Sequence, residues 1–114
     1  MTKKPRLLVV DNEIDVCNFV KSFFEIRGFD VITAYNGDEA LKALDNAKVD
    51  LVILDLVMRR DDEGLEYLPK IKKKCPEAKV IMITGIDDQE TVQKAKALGA
   101  DDYITKPLVL EYLE

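Results

Sequence analysis

Short, mostly apolar runs recur five times along this chain, and stretches with an apolar stripe at helical spacing separate them. The runs are residues 7–10, 31–34, 49–54, 80–83 and 103–105. They are too short for complete helices and have no regular polar alternation, which is typical of buried strands in a parallel sheet. The pattern therefore predicts five strands.

Four helices are predicted between these strands. The first covers residues 14–26 and is closed by Gly28, and the fourth is capped by Asp87 or Asp88 and ends at Gly99. Residues 58–64 are polar and are predicted to form a loop, and Pro69 must lie in the first turns of the third helix or kink it. The apolar stripes are Ile14, Cys17, Val20, Phe24; Ala40, Leu41, Leu44, Ala47; Leu65, Leu68, Ile71; and Val92, Ala95, Leu98.

Strands that alternate with helices through short connections indicate an α/β fold with a doubly wound parallel sheet. We expect a doubly wound sheet with the strand order 2-1-3-4-5 and helices on both faces. The whole chain, 1–114, is expected to be a single domain. A last helix begins after Pro107 and looks cut short, since only about two turns remain.

Composition narrows the possible functions. A net charge of −5 gives no basic footprint for direct binding of nucleic acid. No apolar run approaches the roughly 20 residues of a membrane span, and residues 1–5 lack the apolar core expected of a signal peptide. Cys17 and Cys75 lie in separate segments and are expected to be reduced thiols, which favours a cytoplasmic location. The chain has no histidine, so it contains no Ser-His or Cys-His site and no His-ligated metal.

Four of the five predicted strands end in a polar residue, namely Asp11, Asp55, Thr84 and Lys106. Parallel strands bring these ends to the same edge of the sheet, where open α/β sheets bind their ligands. With the expected strand order, Asp11 and Asp55 face each other at the switch point. Taken singly, each residue is more simply a turn or a helix cap, but four polar ends in this arrangement are difficult to assign to turns one by one.

Crowded carboxylates repel each other unless one is protonated or a cation neutralises them. Oxygen ligands without histidine favour a hard ion, and Mg²⁺ is the usual one beside phosphate. Asp11, Asn12, Glu13 and Asp55 can supply such a site. A carboxylate nucleophile beside Mg²⁺, a lysine and a hydroxyl has the parts for phosphoryl transfer, which would make Asp55 an acyl phosphate.

The chain resembles the receiver domain of two-component response regulators over nearly its whole length. The resemblance rests on Leu7-Leu8-Val9-Val10-Asp11-Asn12-Glu13, Leu51-Val52-Ile53-Leu54-Asp55-Leu56-Val57-Met58, Ile83-Thr84-Gly85 and Gly99-Ala100-Asp101-Asp102-Tyr103-Ile104-Thr105-Lys106-Pro107. It implies a flavodoxin-like fold and a switch that takes a phosphoryl group from a phosphohistidine of a sensor kinase or histidine phosphotransfer protein. The resemblance is compatible with a homodimer or with an effector domain on the C-terminal side of the receiver domain.

The resemblance also implies roles for single residues. Asp55 is the phospho-acceptor, Lys106 pairs with the phosphoryl group, and Thr84 is the switch hydroxyl. Tyr103 matches the aromatic switch, and the backbone carbonyl of Val57 matches a metal ligand. Asp11 matches the first metal-site acid.

Two positions depart from the family pattern. Asn12 stands where a second acid usually contacts the metal, so weaker Mg²⁺ binding is expected, with Glu13 as a candidate for compensation. The proline expected after Met58 is missing and Gly64 comes one residue late, which predicts a differently shaped loop. Arg59 and Arg60 in this loop are expected to be solvated and to offset Asp61 and Asp62.

Val57 and Ile86 flank the expected path of hydrolytic water and are apolar, so the phosphoryl group is expected to be comparatively long-lived. The chain would catalyse its own phosphorylation and slow dephosphorylation but turn over no metabolic substrate. Two alternatives remain. Asn12 would suit a pseudo-receiver that binds proteins without phosphate, whereas a metal-dependent phosphatase is disfavoured because Val57 occupies the position where such enzymes carry a second aspartate.

Overall fold

A computed structural model describes residues 4–58, 63–85 and 89–105 of the chain. These residues contain a single five-stranded sheet. Its strands form where the sequence predicts them, and the apolar side chains of the three central strands are buried on both faces of the sheet. The strands are β1 (Arg6–Val10), β2 (Asp30–Ala34), β3 (Leu51–Asp55), β4 (Lys79–Thr84) and β5 (Asp102–Thr105).

All neighbouring strands are parallel, and their order is β2-β1-β3-β4-β5. This confirms the doubly wound, flavodoxin-like fold. The register pairs Val10 with Leu54 and Asp55 with Ile83. Residues 11, 55 and 84 therefore lie side by side at the carboxyl edge of the three central strands.

Helices cover both faces of the sheet. α1 packs on the face that carries Leu7, Val9 and Ile53, while α2, α3 and α4 contribute buried residues to the core on the opposite face. Within the described ranges the helices are α1 (Ile14–Ile26), α2 (Gly37–Asn46), α3 (Glu63–Lys74) and α4 (Gln89–Ala97). None of the described helices is long and apolar enough to cross a membrane.

The helix ends follow the local sequence signals. Gly28 ends α1 with a positive φ of 90°, and its N–H bonds the carbonyl of Glu25 at 3.1 Å. Asn36 is the N-cap of α2, where its side chain accepts a 2.9 Å hydrogen bond from the N–H of Glu39. α3 ends at Lys74, directly before Cys75 and Pro76.

Three boundary predictions were wrong. Glu63 and Gly64 do not belong to a loop but form the first turn of α3, and both are buried. Their polar character hid this, since periodicity alone cannot reveal a buried carboxylate. Ala47 is the C-cap of α2 in an extended conformation, and Leu98 lies beyond the end of α4 and is exposed.

Several predictions fall on residues outside the described ranges. They concern the loop residues Arg59, Arg60, Asp61 and Asp62, together with Ile86, the capping residues Asp87 and Asp88, Lys106 and the last helix.

Candidate functional site

Three of the predicted site residues meet at the carboxyl edge of the sheet. Asp11 follows β1, and Asp55 and Thr84 are the last residues of β3 and β4. Their exposed fractions are only 3%, 4% and 1%, respectively. Two aspartates buried on neighbouring strands are unusual for surface turns, because charged side chains avoid burial unless partners compensate them.

Backbone amides orient the Asp11 carboxylate. Its Oδ1 accepts a 2.9 Å hydrogen bond from the N–H of Glu13, while its own N–H bonds the carbonyl of Ala34 at 3.1 Å. Glu13 occupies the N-cap position of α1, but its exposed side chain makes no capping hydrogen bond. Asp11 therefore shapes the turn into α1 and also places a carboxylate at the sheet edge.

Asn12 connects the segment after β1 with the segment after β3. Its Nδ2 donates a hydrogen bond to the backbone carbonyl of Met58 at 3.2 Å. The resemblance to the family suggested only a metal ligand at this position and did not predict this contact.

Asp55 is held by the chain that follows it. Its Oδ1 accepts a hydrogen bond from the N–H of Val57 at 3.3 Å. Gly64, in the first turn of α3, packs so closely that a Cβ there would lie 2.3 Å from the Asp55 carbonyl oxygen. The N–H of Gly64 also bonds the carbonyl of Leu56 at 2.8 Å. α3 is thereby fixed against the backbone that presents the carboxylate.

Cys17 of α1 is fully buried next to the backbone of Asp11. Its Sγ donates to the backbone carbonyl of Asp11 at 3.3 Å. Burial and, after it, the Asp11 charge raise the pKa of this thiol to about 11, although the hydrogen bond to the Asp11 carbonyl lowers it. Cys17 is therefore a neutral thiol in the core beside Asp11.

Glu63 is a buried carboxylate, although the polar sequence around it predicts a loop. It is fully enclosed, and its Oε2 lies 3.4 Å from the N–H of Gly37 at the start of α2. The positive end of a helix dipole is a favourable location for such a charge. The only signal in the sequence was its position directly before Gly64, which a polar loop explains equally well.

The remaining predicted residues lie around β5. Tyr103 pairs with Met82 of β4, is partly buried, and packs against the core that α2 and α3 cover. Thr84 pairs with Thr105, the residue that directly precedes Lys106 in the chain. Among the described residues, Tyr103 and Thr84 thus occupy the strand pair that leads to the predicted lysine.

The oxygen donors at this edge suit Mg²⁺. No group of three or more His, Cys, Asp or Glu side chains in the described ranges is placed to hold a metal. Mg²⁺ does not require one, because it commonly binds one or two carboxylates and keeps several waters. Asp11, Asp55, the Asn12 amide oxygen and the Val57 carbonyl provide donors of the type it prefers.

Residues 7–114 match the family model for the response regulator receiver domain. The chain belongs to this family. Its fold and the predicted signalling class agree with this membership, and the receiver domain covers nearly the whole chain.

Named relatives support the assignment. The receiver domain is 41% identical over 114 residues to the chemotaxis protein CheY of Listeria monocytogenes, which covers 96% of this chain and 95% of CheY. It is 37% identical over 107 residues to the alkaline phosphatase synthesis transcriptional regulatory protein PhoP of Bacillus subtilis, over 94% of this chain but only 43% of PhoP. The chain thus spans less than half of PhoP and nearly all of CheY.

Solved structures have the same architecture. A response regulator from Burkholderia pseudomallei, described with a phosphorylated aspartic acid, a calcium ion and citrate, gives a TM-score of 0.90 at 30% identity. The match covers 96% of this chain and 64% of that one. A CheY-like receiver domain from Methanospirillum hungatei gives 0.90 at 32% identity, over 97% and 88% of the two chains.

Proposed function

We propose that this receiver domain accepts a phosphoryl group on Asp55 from the phosphohistidine of a sensor kinase or histidine phosphotransfer protein. The observation that carries the proposal is the pair of buried carboxylates, Asp11 and Asp55, with Thr84 beside them at one sheet edge. The phosphorylated aspartate of the Burkholderia pseudomallei relative, whose fold is nearly the same, adds support.

In the proposed reaction, a carboxylate oxygen of Asp55 bonds to phosphorus while the phosphorus–nitrogen bond of the donor breaks. The leaving imidazole nitrogen takes up a proton. The chain needs no histidine for this step, because the donor supplies it. Burial of Asp55 limits the approach of water, and the N–H of Val57 holds its carboxylate in place.

Mg²⁺ is proposed as the cofactor, held by Asp11, Asn12, Asp55 and the Val57 carbonyl, with Glu13 close by in sequence. When bound, it supplies positive charge that stabilises the phosphoryl oxygens in the transition state. Lys106 is proposed to pair with the same oxygens, and the Thr84 hydroxyl to donate a hydrogen bond to one of them.

Output is proposed to follow from the same contacts. Phosphorylation would draw the Thr84 hydroxyl toward the phosphoryl group, and Tyr103 would turn toward the space that Thr84 leaves. Because both residues belong to neighbouring strands, this would change the surface around α4 and β5. We propose that this surface then binds either an effector domain or a second copy of the chain.

Incubation with Mg²⁺ and acetyl phosphate, followed by intact mass measurement, tests this function. One added phosphoryl group is expected on the wild-type protein and on Asp15→Asn, which alters an exposed carboxylate in the first turn of α1. Asp55→Asn should abolish it.

A time course after removal of the donor should show slow loss of phosphate, because Val57 and Ile86 are apolar and cannot orient the hydrolytic water.

Two other results of these experiments would contradict the predictions. Loss of phosphate within seconds would contradict the predicted slow hydrolysis. Absence of any adduct, also with a purified cognate kinase, would contradict the proposed function. The domain would then be a pseudo-receiver, an alternative that neither the relatives nor the fold favours.

A further inference from the structure

The hydrogen bond from Asn12 to Met58 joins two segments that are 46 residues apart in sequence. One segment follows β1 and carries Asp11, and the other follows β3 and carries Val57. These two strands are neighbours at the centre of the sheet. The bond thus closes the site across the strands that supply both aspartates.

An amide serves both sides of this contact, whereas an aspartate serves only one. An ionised aspartate has no hydrogen to donate, whereas the asparagine side chain has both a carbonyl oxygen and an NH₂ group. At position 12, an aspartate would also add a negative charge close to Asp11, Asp55 and the carbonyl oxygen of Met58. Asparagine therefore replaces a repulsive contact by an attractive one.

The segment that Asn12 holds is directly connected to Asp55. The N–H of Val57 bonds the Asp55 carboxylate, and the carbonyl of Leu56 accepts the N–H of Gly64 at the start of α3. Met58 itself is buried in the core on the sheet face that α2, α3 and α4 cover. A contact that fixes the Met58 carbonyl therefore limits the movement of the whole segment 56–58.

We propose that Asn12 is a positioning residue that orders segment 56–58 before any metal binds. Its NH₂ group holds Met58, which keeps the Val57 N–H on Asp55 and keeps the Val57 carbonyl in place. The carbonyl oxygen of the Asn12 side chain stays available to bind Mg²⁺, and this second role rests on the proposed function. The domain would gain order without metal and lose some affinity for Mg²⁺ in exchange.

Amide hydrogen exchange measured by NMR in metal-free buffer, without a phosphodonor, tests the proposal. The N–H groups of Val57 and Gly64 should exchange about 2- to 10-fold faster in Asn12→Asp and in Asn12→Ala, the range expected from one lost hydrogen bond. Asn18→Asp adds the same charge at an exposed position of α1 and should leave both rates unchanged. Circular dichroism would verify that each variant is folded.

Addition of Mg²⁺ separates the two variants. Asn12→Asp should bind Mg²⁺ more tightly than the wild type by calorimetry and regain slow exchange, whereas Asn12→Ala should bind it more weakly and stay fast. Wild-type exchange rates in metal-free Asn12→Asp would overturn the positioning role. Equal Mg²⁺ affinity in the wild type and Asn12→Asp would overturn the role of the amide oxygen. Neither result depends on phosphorylation of Asp55, so failure of the proposed function remains distinguishable.

Discussion

At the scale of single residues, Gly64 determines how closely α3 approaches the strand that carries Asp55. A Cβ at this position would lie 2.3 Å from the Asp55 carbonyl oxygen and 2.6 Å from the Cα of Leu56. Both neighbours are backbone atoms and cannot move aside by a change of rotamer. Gly64→Ala should therefore lower the free energy of unfolding by about 1–3 kcal/mol, as overpacking typically does.

Urea denaturation followed by circular dichroism measures this effect. Gly85→Ala is the matched control, because a Cβ there meets nothing within 4 Å among the described residues. This control should change stability by no more than about 0.5 kcal/mol. Equal stability of the two variants would mean that α3 can shift away from β3 at little cost.

The predictability of the site differs from residue to residue. Asp11, Asp55 and Thr84 could be placed together from the sequence, because each follows or ends an apolar run and parallel strands align their ends. The Asn12–Met58 contact and the buried Glu63 could not. Both depend on where a polar side chain points after the loops have folded, and hydropathy carries no information about that.

At the scale of secondary structure elements, a partly buried contact joins the start of α2 to α3. The Tyr67 hydroxyl donates a 2.6 Å hydrogen bond to Asp38, and the Tyr67 ring fills the space where Gly37 lacks a side chain. We expect Tyr67→Phe to lower the free energy of unfolding by about 0.5–1.5 kcal/mol, because the ring remains and one hydrogen bond is lost.

A double-mutant cycle with Asp38→Ala isolates that bond. The two single changes should not add, and the coupling energy should be about 0.5–1.5 kcal/mol. Asp15→Ala, another exposed aspartate in the first turn of a helix, should add to Tyr67→Phe without coupling. Strict additivity of Tyr67→Phe and Asp38→Ala would show that the hydroxyl contributes nothing through Asp38.

At the scale of the whole molecule, the alternation of apolar runs and helical stripes was sufficient to predict a doubly wound parallel sheet, and the strand order expected for such a sheet is the one observed. Strands β1, β3 and β4 are buried on both faces, so their runs are continuous and easily recognised. The errors lie at helix ends, where one or two residues decide between cap and turn. The start of α3 was missed for a different reason, since its first two residues are buried through contacts with α2 and β3.

Asp101 ties together three parts of the fold, and this makes stability depend on pH. Its Oδ2 accepts the N–H of Val80 in β4 at 2.8 Å and lies 3.4 Å from Lys72 Nζ of α3. These contacts, led by the Val80 hydrogen bond, hold the pKa of Asp101 below its ordinary value of 3.8. A depressed folded-state pKa stabilises the fold above the unfolded-state pKa, and this contribution is lost as the pH falls through the folded-state pKa.

Comparison with Asp101→Asn isolates this contribution from that of the other acids. The asparagine can still accept the Val80 N–H but cannot carry the charge that attracts Lys72. The wild type should be the more stable protein by a constant amount above about pH 5, and the difference should shrink steadily below about pH 4. Free energies of unfolding from urea titrations at several pH values measure this difference.

Because the Asp101 side chain is 44% exposed, solvent screening keeps the difference small, and added salt should reduce it further. A difference that persists unchanged to the lowest pH would mean that the charge of Asp101 is not what stabilises the link between α3 and β4.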